Sequence, residues 1–106
     1  MIYFNCMYSS PNPILIVDDD RGMRVLMRAV LESRGLTSIE AIDGVHAIEM
    51  CRNERPSVVL LDMRMPKMNG IETLRELKRL DSDLPVIIIT AHADLKDAVN
   101  AIKLGA

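Results

Sequence analysis

Four side chains in this sequence stand where apolar runs stop. Ile14-Leu15-Ile16-Val17 ends in Asp18 and Asp19, Ser57-Val58-Val59-Leu60-Leu61 ends in Asp62, and Pro85-Val86-Ile87-Ile88-Ile89 ends in Thr90. Runs of this length, apolar on both faces, suit strands buried between two helical layers. In an open parallel sheet, ligands bind beyond the carboxyl ends of the strands, at the point where strand order reverses. Carboxylates gathered there repel one another unless a cation lies among them, and all-oxygen donors favour a hard dication such as Mg²⁺. A carboxylate beside that ion is also a nucleophile toward a phosphoryl group, giving an acyl phosphate. A threonine hydroxyl nearby donates a hydrogen bond to a phosphoryl oxygen as charge develops. An isolated acid at a strand end is usually a helix cap or a solvated loop residue. The same acids at matching strand ends are a chemical constellation.

The elements that must hold these residues alternate along the chain. After Asp18-Asp19-Asp20 the apolar period changes: Met23, Leu26, Met27, Val30 and Leu31 recur at helical spacing, with Arg21, Arg24, Arg28 and Glu32 on the other face. Asp20 is the expected N-cap of this helix and Gly35 its stop. Thr37 to Ile42 reads as a short strand and Val45 to Arg52 as a second helix, with Cys51 on its inner stripe and His46 on its solvent side. A methionine-rich loop with Pro66 and Gly70 follows Asp62; its Met63, Met65 and Met68 read as gap fillers rather than a metal or redox site. Ile71, Leu74, Leu77 and Leu80 then mark a third helix, and Asp94 caps a fourth that runs to Gly105. Strands alternating with helices of this length predict βαβ units, a parallel sheet and right-handed crossovers.

Composition narrows the function classes. The 106 residues allow one domain, and 49% apolar with 26% charged residues describes a globular chain. A net charge of −2 speaks against direct nucleic-acid binding. No apolar run approaches the roughly eighteen residues of a membrane span. The first seventeen residues carry no charge, so a secretory signal with a basic start is not expected. Cys6 and Cys51 have no metal-ligand spacing and read as reduced thiols of a cytoplasmic protein. Residues 1–13, which hold Tyr3, Phe4 and Tyr8 and end in Ser9-Ser10-Pro11-Asn12-Pro13, read as an N-terminal extension preceding a domain at 14–106.

The stretches ILIVDDD (14–20), VVLLDMRMPKMNG (58–70) and PVIIITA (85–91) together resemble the receiver domain of bacterial two-component response regulators. The resemblance runs from Ile14 to Ala106. It implies a flavodoxin-like, doubly wound α/β fold with three α/β/α layers and strand order 2-1-3-4, with the family's fifth strand and fifth helix beyond this sequence. It implies that Asp62 accepts a phosphoryl group from a histidine kinase. Asp19 and Asp62 would bind Mg²⁺ directly, Asp18 through water, and the backbone carbonyl of Arg64 would be a further ligand. Thr90 matches the switch hydroxyl and Ala91 the small residue that keeps the site open. His92 and Arg64 match positions that tune the lifetime of the acyl phosphate. DAVNAIKLGA (97–106) resembles regulators whose receiver controls an attached output, here expected to be transcriptional. The family's lysine has no counterpart, since Lys103 belongs to the fourth helix.

With strand five absent, Val86–Ile89 would form an exposed, uncharged edge, open to dimerisation or strand exchange. The alternating Ile2, Phe4, Cys6 and Tyr8 are a candidate cover for that edge. Two other functions remain open on sequence. One is a phosphohydrolase of the haloacid-dehalogenase type with Asp18 as nucleophile, although Gly22 stands where that motif expects Thr or Val. The other is a receiver-like interaction domain that carries no phosphate.

Overall fold

The computed structural model describes residues 12–62 and 70–89. In chain order the elements are β1 (Ile14–Val17), α1 (Arg21–Glu32), β2 (Ser38–Ala41), α2 (Gly44–Glu54), β3 (Val58–Leu61), α3 (Gly70–Leu80) and β4 (Val86–Ile88). The strands form one parallel sheet in the order β2-β1-β3-β4, as expected. The predicted fourth helix, residues 63–69 of the methionine-rich loop and residues 1–11 of the N-terminal extension lie outside the described residues.

One face of the sheet carries the main core. Leu15, Val17, Ala41, Val59, Leu61 and Val86 point toward α2 and α3, where Ala47, Leu74 and Leu77 close over them, joined by Leu84 from the turn after α3. Each strand supplies alternate residues to this face, the period-two rule of a pleated strand. Thr73 is also fully buried on α3, a polar position that the apolar spacing of that helix does not reveal.

The caps explain where the helices begin and end. Asp20 and Asp43 sit in extended backbone, and their carboxylates accept the amide hydrogens of Gly22 (2.8 Å) and His46 (2.8 Å). Each satisfies a donor that the first helical turn leaves without a partner. α1 closes on Gly35, whose φ of 77° lies in the left-handed region. There the Leu36 amide reaches back to the Leu31 carbonyl and the Gly35 amide to Glu32, a Schellman closure. His46 is half-buried rather than simply solvent-facing, because its Nδ1 accepts the Ile42 amide at 3.2 Å.

The expected inward stripe of α1 requires correction. No residue of α1 is fully buried, and Met23, Leu26 and Val30 are 42%, 57% and 49% exposed. The helix is rolled so that Met27, Leu31 and the supposedly outer Arg24 turn toward β1 and β2. A single helix covers only a narrow line of sheet, and among the described residues no second helix shares this face with α1. Burial consequently declines along the cross-strand row Ile16–Leu60–Ile87, from complete at Ile16 to half exposed at Ile87. No helix among the described residues is long and apolar enough to cross a membrane.

Cys51 packs against the α2/α3 core, as its place on the inner stripe predicted, and burial pushes its thiol up to about 11. The thiolate is the reactive form. Peptide-resolved alkylation at neutral pH is expected to modify Cys51 at least about tenfold more slowly in native than in urea-unfolded protein. Equal rates would contradict this burial.

Candidate functional site

Matched strand lengths build the site. Val17 is level with Leu61 in the β1–β3 register, so the next residues, Asp18 and Asp62, leave the sheet side by side. Two bonds fasten these exits: the Asp62 amide donates to the Val17 carbonyl (2.9 Å) and the Asp18 amide to the Ala41 carbonyl (3.2 Å). On the far side, the Ile89 amide donates to the Leu61 carbonyl at 2.9 Å, holding the end of β4 level with the same rim. A one-residue slip in the β1–β3 pairing would take Asp18 and Asp62 out of level and turn one of them to the wrong face.

One oxygen from each of Asp18, Asp19 and Asp62 lies within 4.8 Å of the others. Asp18 is buried, Asp62 half-buried and Asp19 exposed, so the cluster opens to solvent on one side. Asp18 Oδ1 accepts the Asp20 amide at 2.9 Å, while Asp20 itself is committed to capping α1. The third acid of the DDD run thus shapes the turn and stays outside the cluster. Burial raises the Asp18 carboxyl to about 6. The Asp20 amide opposes this rise, and the nearby Asp62 and Asp19 carboxylates reinforce it. Without a cation, this arrangement favours a proton on its innermost member.

A second layer of charge lies behind Asp18. Arg24 donates from Nη1 to the Asp18 backbone carbonyl (2.7 Å) and from Nε to Glu40 Oε1 (2.9 Å), with its side chain only 12% exposed. Arg28 Nη1 donates to the other Glu40 oxygen at 2.9 Å. Burial works against the Glu40 charge, but the bonds from Arg24 and Arg28 prevail and hold its carboxyl below the usual range. Sequence reading placed Arg24 on the solvent face and missed it. The available signal was electrostatic: arginines in the first half of a helix oppose its dipole and call for an acid elsewhere.

The fold coincides with what comparison finds. The response regulator receiver domain model matches residues 14–106, nearly the whole chain. The chain belongs to the response regulator receiver domain family. This receiver is 42% identical over 93 residues to the sporulation initiation phosphotransferase F of Bacillus subtilis (strain 168), covering 88% of this chain and 75% of that protein. It is 40% identical over 93 residues to the response regulator MprA of Mycobacterium ulcerans (strain Agy99), covering 88% of this chain but 40% of that longer protein. Among solved structures, the CheX-CheY-BeF3-Mg+2 complex from Borrelia burgdorferi matches with a TM-score of 0.88 and 30% identity, over 96% of this chain and 78% of the other.

Of the residues expected in the receiver's site, Asp18, Asp19 and Asp62 are brought together. Arg64, Thr90, Ala91 and His92 lie outside the described residues.

Proposed function

We propose that this receiver accepts a phosphoryl group on Asp62 from a phosphohistidine of a partner kinase. The observation that carries the reading is the convergence of Asp18, Asp19 and Asp62 at the carboxyl ends of two adjacent parallel strands. These hard oxygen donors, gathered with one of their number buried and the cluster open to solvent on one side, fit Mg²⁺. Asp19 and Asp62 would hold the ion directly and Asp18 through water, with the Arg64 carbonyl as a further ligand. Bound there, Mg²⁺ supplies positive charge to the phosphoryl oxygens during transfer.

In the step itself, an Asp62 carboxylate oxygen forms the new P–O bond as the P–N bond to the kinase imidazole breaks, and the imidazole departs with its electron pair. The Thr90 hydroxyl donates to the incoming phosphoryl group, and the small Ala91 leaves room for it. The phosphorylated state then shifts a two-state equilibrium toward the conformation that an output reads. That output, transcriptional in our reading, belongs to a partner or to an attached domain. The complex with BeF3 and Mg named for the Borrelia CheY supports the same chemistry here.

Intact-mass measurement with a small-molecule phosphodonor tests this proposal. Added Mg²⁺ should give one phosphoryl group per chain, and chelation should prevent it. No label under either condition, or a label indifferent to chelation, would overturn the assignment.

A further inference from the structure

We infer that Arg24 is a positioning residue for the metal-binding turn, acting through the backbone of Asp18. This rests on the proposed Mg²⁺ site and extends it to a residue outside the acid cluster. The guanidinium spans two elements: Nη1 holds the Asp18 carbonyl at 2.7 Å and Nε holds Glu40 on β2 at 2.9 Å. Arg28 fixes the remaining Glu40 oxygen, so the carboxylate cannot rotate away from Arg24. The Asp18 peptide is therefore tied on both sides, its amide to Ala41 and its carbonyl to Arg24. Its side chain is fixed as well, by the Asp20 amide. With the peptide held at these points, the Asp18 and Asp19 carboxylates are presented to Asp62 without a search over backbone conformations. Groups that orient metal ligands from behind commonly change affinity by about tenfold or more when removed.

Charge and position act in opposite directions here, which makes the inference separable. Deleting a cation near three acids would by itself strengthen the binding of a dication. Loss of positioning would weaken it. Arg24→Lys keeps the charge but replaces a rigid fork by a single ammonium, which cannot reproduce both planar bonds. The decisive measurement is calorimetric titration of the full chain with Mg²⁺, alongside thermal unfolding in chelator. Arg24→Lys is expected to bind Mg²⁺ on the order of tenfold more weakly than the parent chain, well below its own melting temperature.

Arg79→Ala, which removes an exposed cation paired with Glu76 on α3 and outside this clamp, serves as the comparison and should stay within about twofold. Should Arg24→Lys fold poorly, Glu40→Gln tests the same clamp. It keeps the acceptor shape but loses the charge that holds Arg24, and an intermediate loss is expected. Parent-like Mg²⁺ affinity in Arg24→Lys, with only a lowered melting temperature, would overturn the positioning role. Failure of the parent chain to bind Mg²⁺ would defeat the metal site itself, and the inference with it.

Discussion

Asp62→Asn is expected to abolish phosphoryl uptake, lowering the initial rate by at least about a hundredfold. The amide matches the carboxylate in shape but offers no anionic oxygen to attack phosphorus. Unfolding would not explain the loss, because removing one of three clustered charges relieves repulsion. The variant should melt no lower than the parent chain in chelator. Asp18→Asn is the informative partner. It leaves the acceptor in place and retains an oxygen for the Asp20 amide, so labelling should slow and require more Mg²⁺ but not disappear. A phosphohydrolase with its nucleophile at Asp18 demands the reverse: phosphomonoester turnover that survives Asp62→Asn and fails in Asp18→Asn. Intact mass and phosphate release on the same two variants decide between these chemistries.

The second large effect concerns stability. Burial, with the charges of Asp62 and Asp19, raises the Asp18 carboxyl from its ordinary 3.8 to about 6. Between those values the native chain binds more protons than the unfolded one, so this group's contribution favours folding at low pH and is lost as pH rises through about 6. Above that pH, the metal-free protein carries a buried anion that it must support against neighbours of like sign. Asp18→Asn removes this penalty. In chelator the variant should be more stable than the parent at pH 7 by on the order of 2 kcal/mol, with the advantage shrinking toward pH 4. Comparing the two chains cancels the titration of carboxylates outside the cluster, and the difference then reports the cluster as a unit. Saturating Mg²⁺ should erase or invert the difference, since the ion stabilises the parent by binding the native state alone. Urea unfolding of both chains at the two pH values measures the effect. An asparagine variant less stable than the parent at pH 7 without metal would refute this account of Asp18.

The strand ends were legible because they needed only one-dimensional information. ILIV and VVLL are apolar runs of equal length, each followed by an acid. Equal lengths in register bring Asp18 level with Asp62 without knowledge of the intervening helix. Asp20 was equally readable, since the change of apolar period begins immediately after it. The roll of α1 was not readable. Its stripe of Met23, Leu26, Met27, Val30 and Leu31 describes a helix with apolar neighbours but does not say how many neighbours there are. With only β1 and β2 beneath it among the described residues, the helix presents one edge of the stripe and brings Arg24 inward. Glu40 was hidden for the same reason. Its meaning depends on a partner sixteen residues away, reached through the parallel crossover. Thr73 escaped notice because a hydroxyl at a core position breaks an apolar pattern rather than announcing a site.

Among the described residues the two sheet faces are unequally covered, and local stability follows that difference. The sheet with α2 and α3 forms a slab whose separation would expose the whole Leu15–Leu61–Leu74–Leu77 core. α1 has no fully buried residue, and lifting it exposes far less apolar surface. Of the three described helices it is therefore the natural cooperative unit to open below the global unfolding free energy. Opening would break the Asp20 cap and the Arg24 bridge together, the two contacts that tie α1 to the turn carrying Asp18 and Asp19. The acid cluster and α1, the least buried of the three described helices, thus share one hinge, so any ligand that needs the first must also hold down the second.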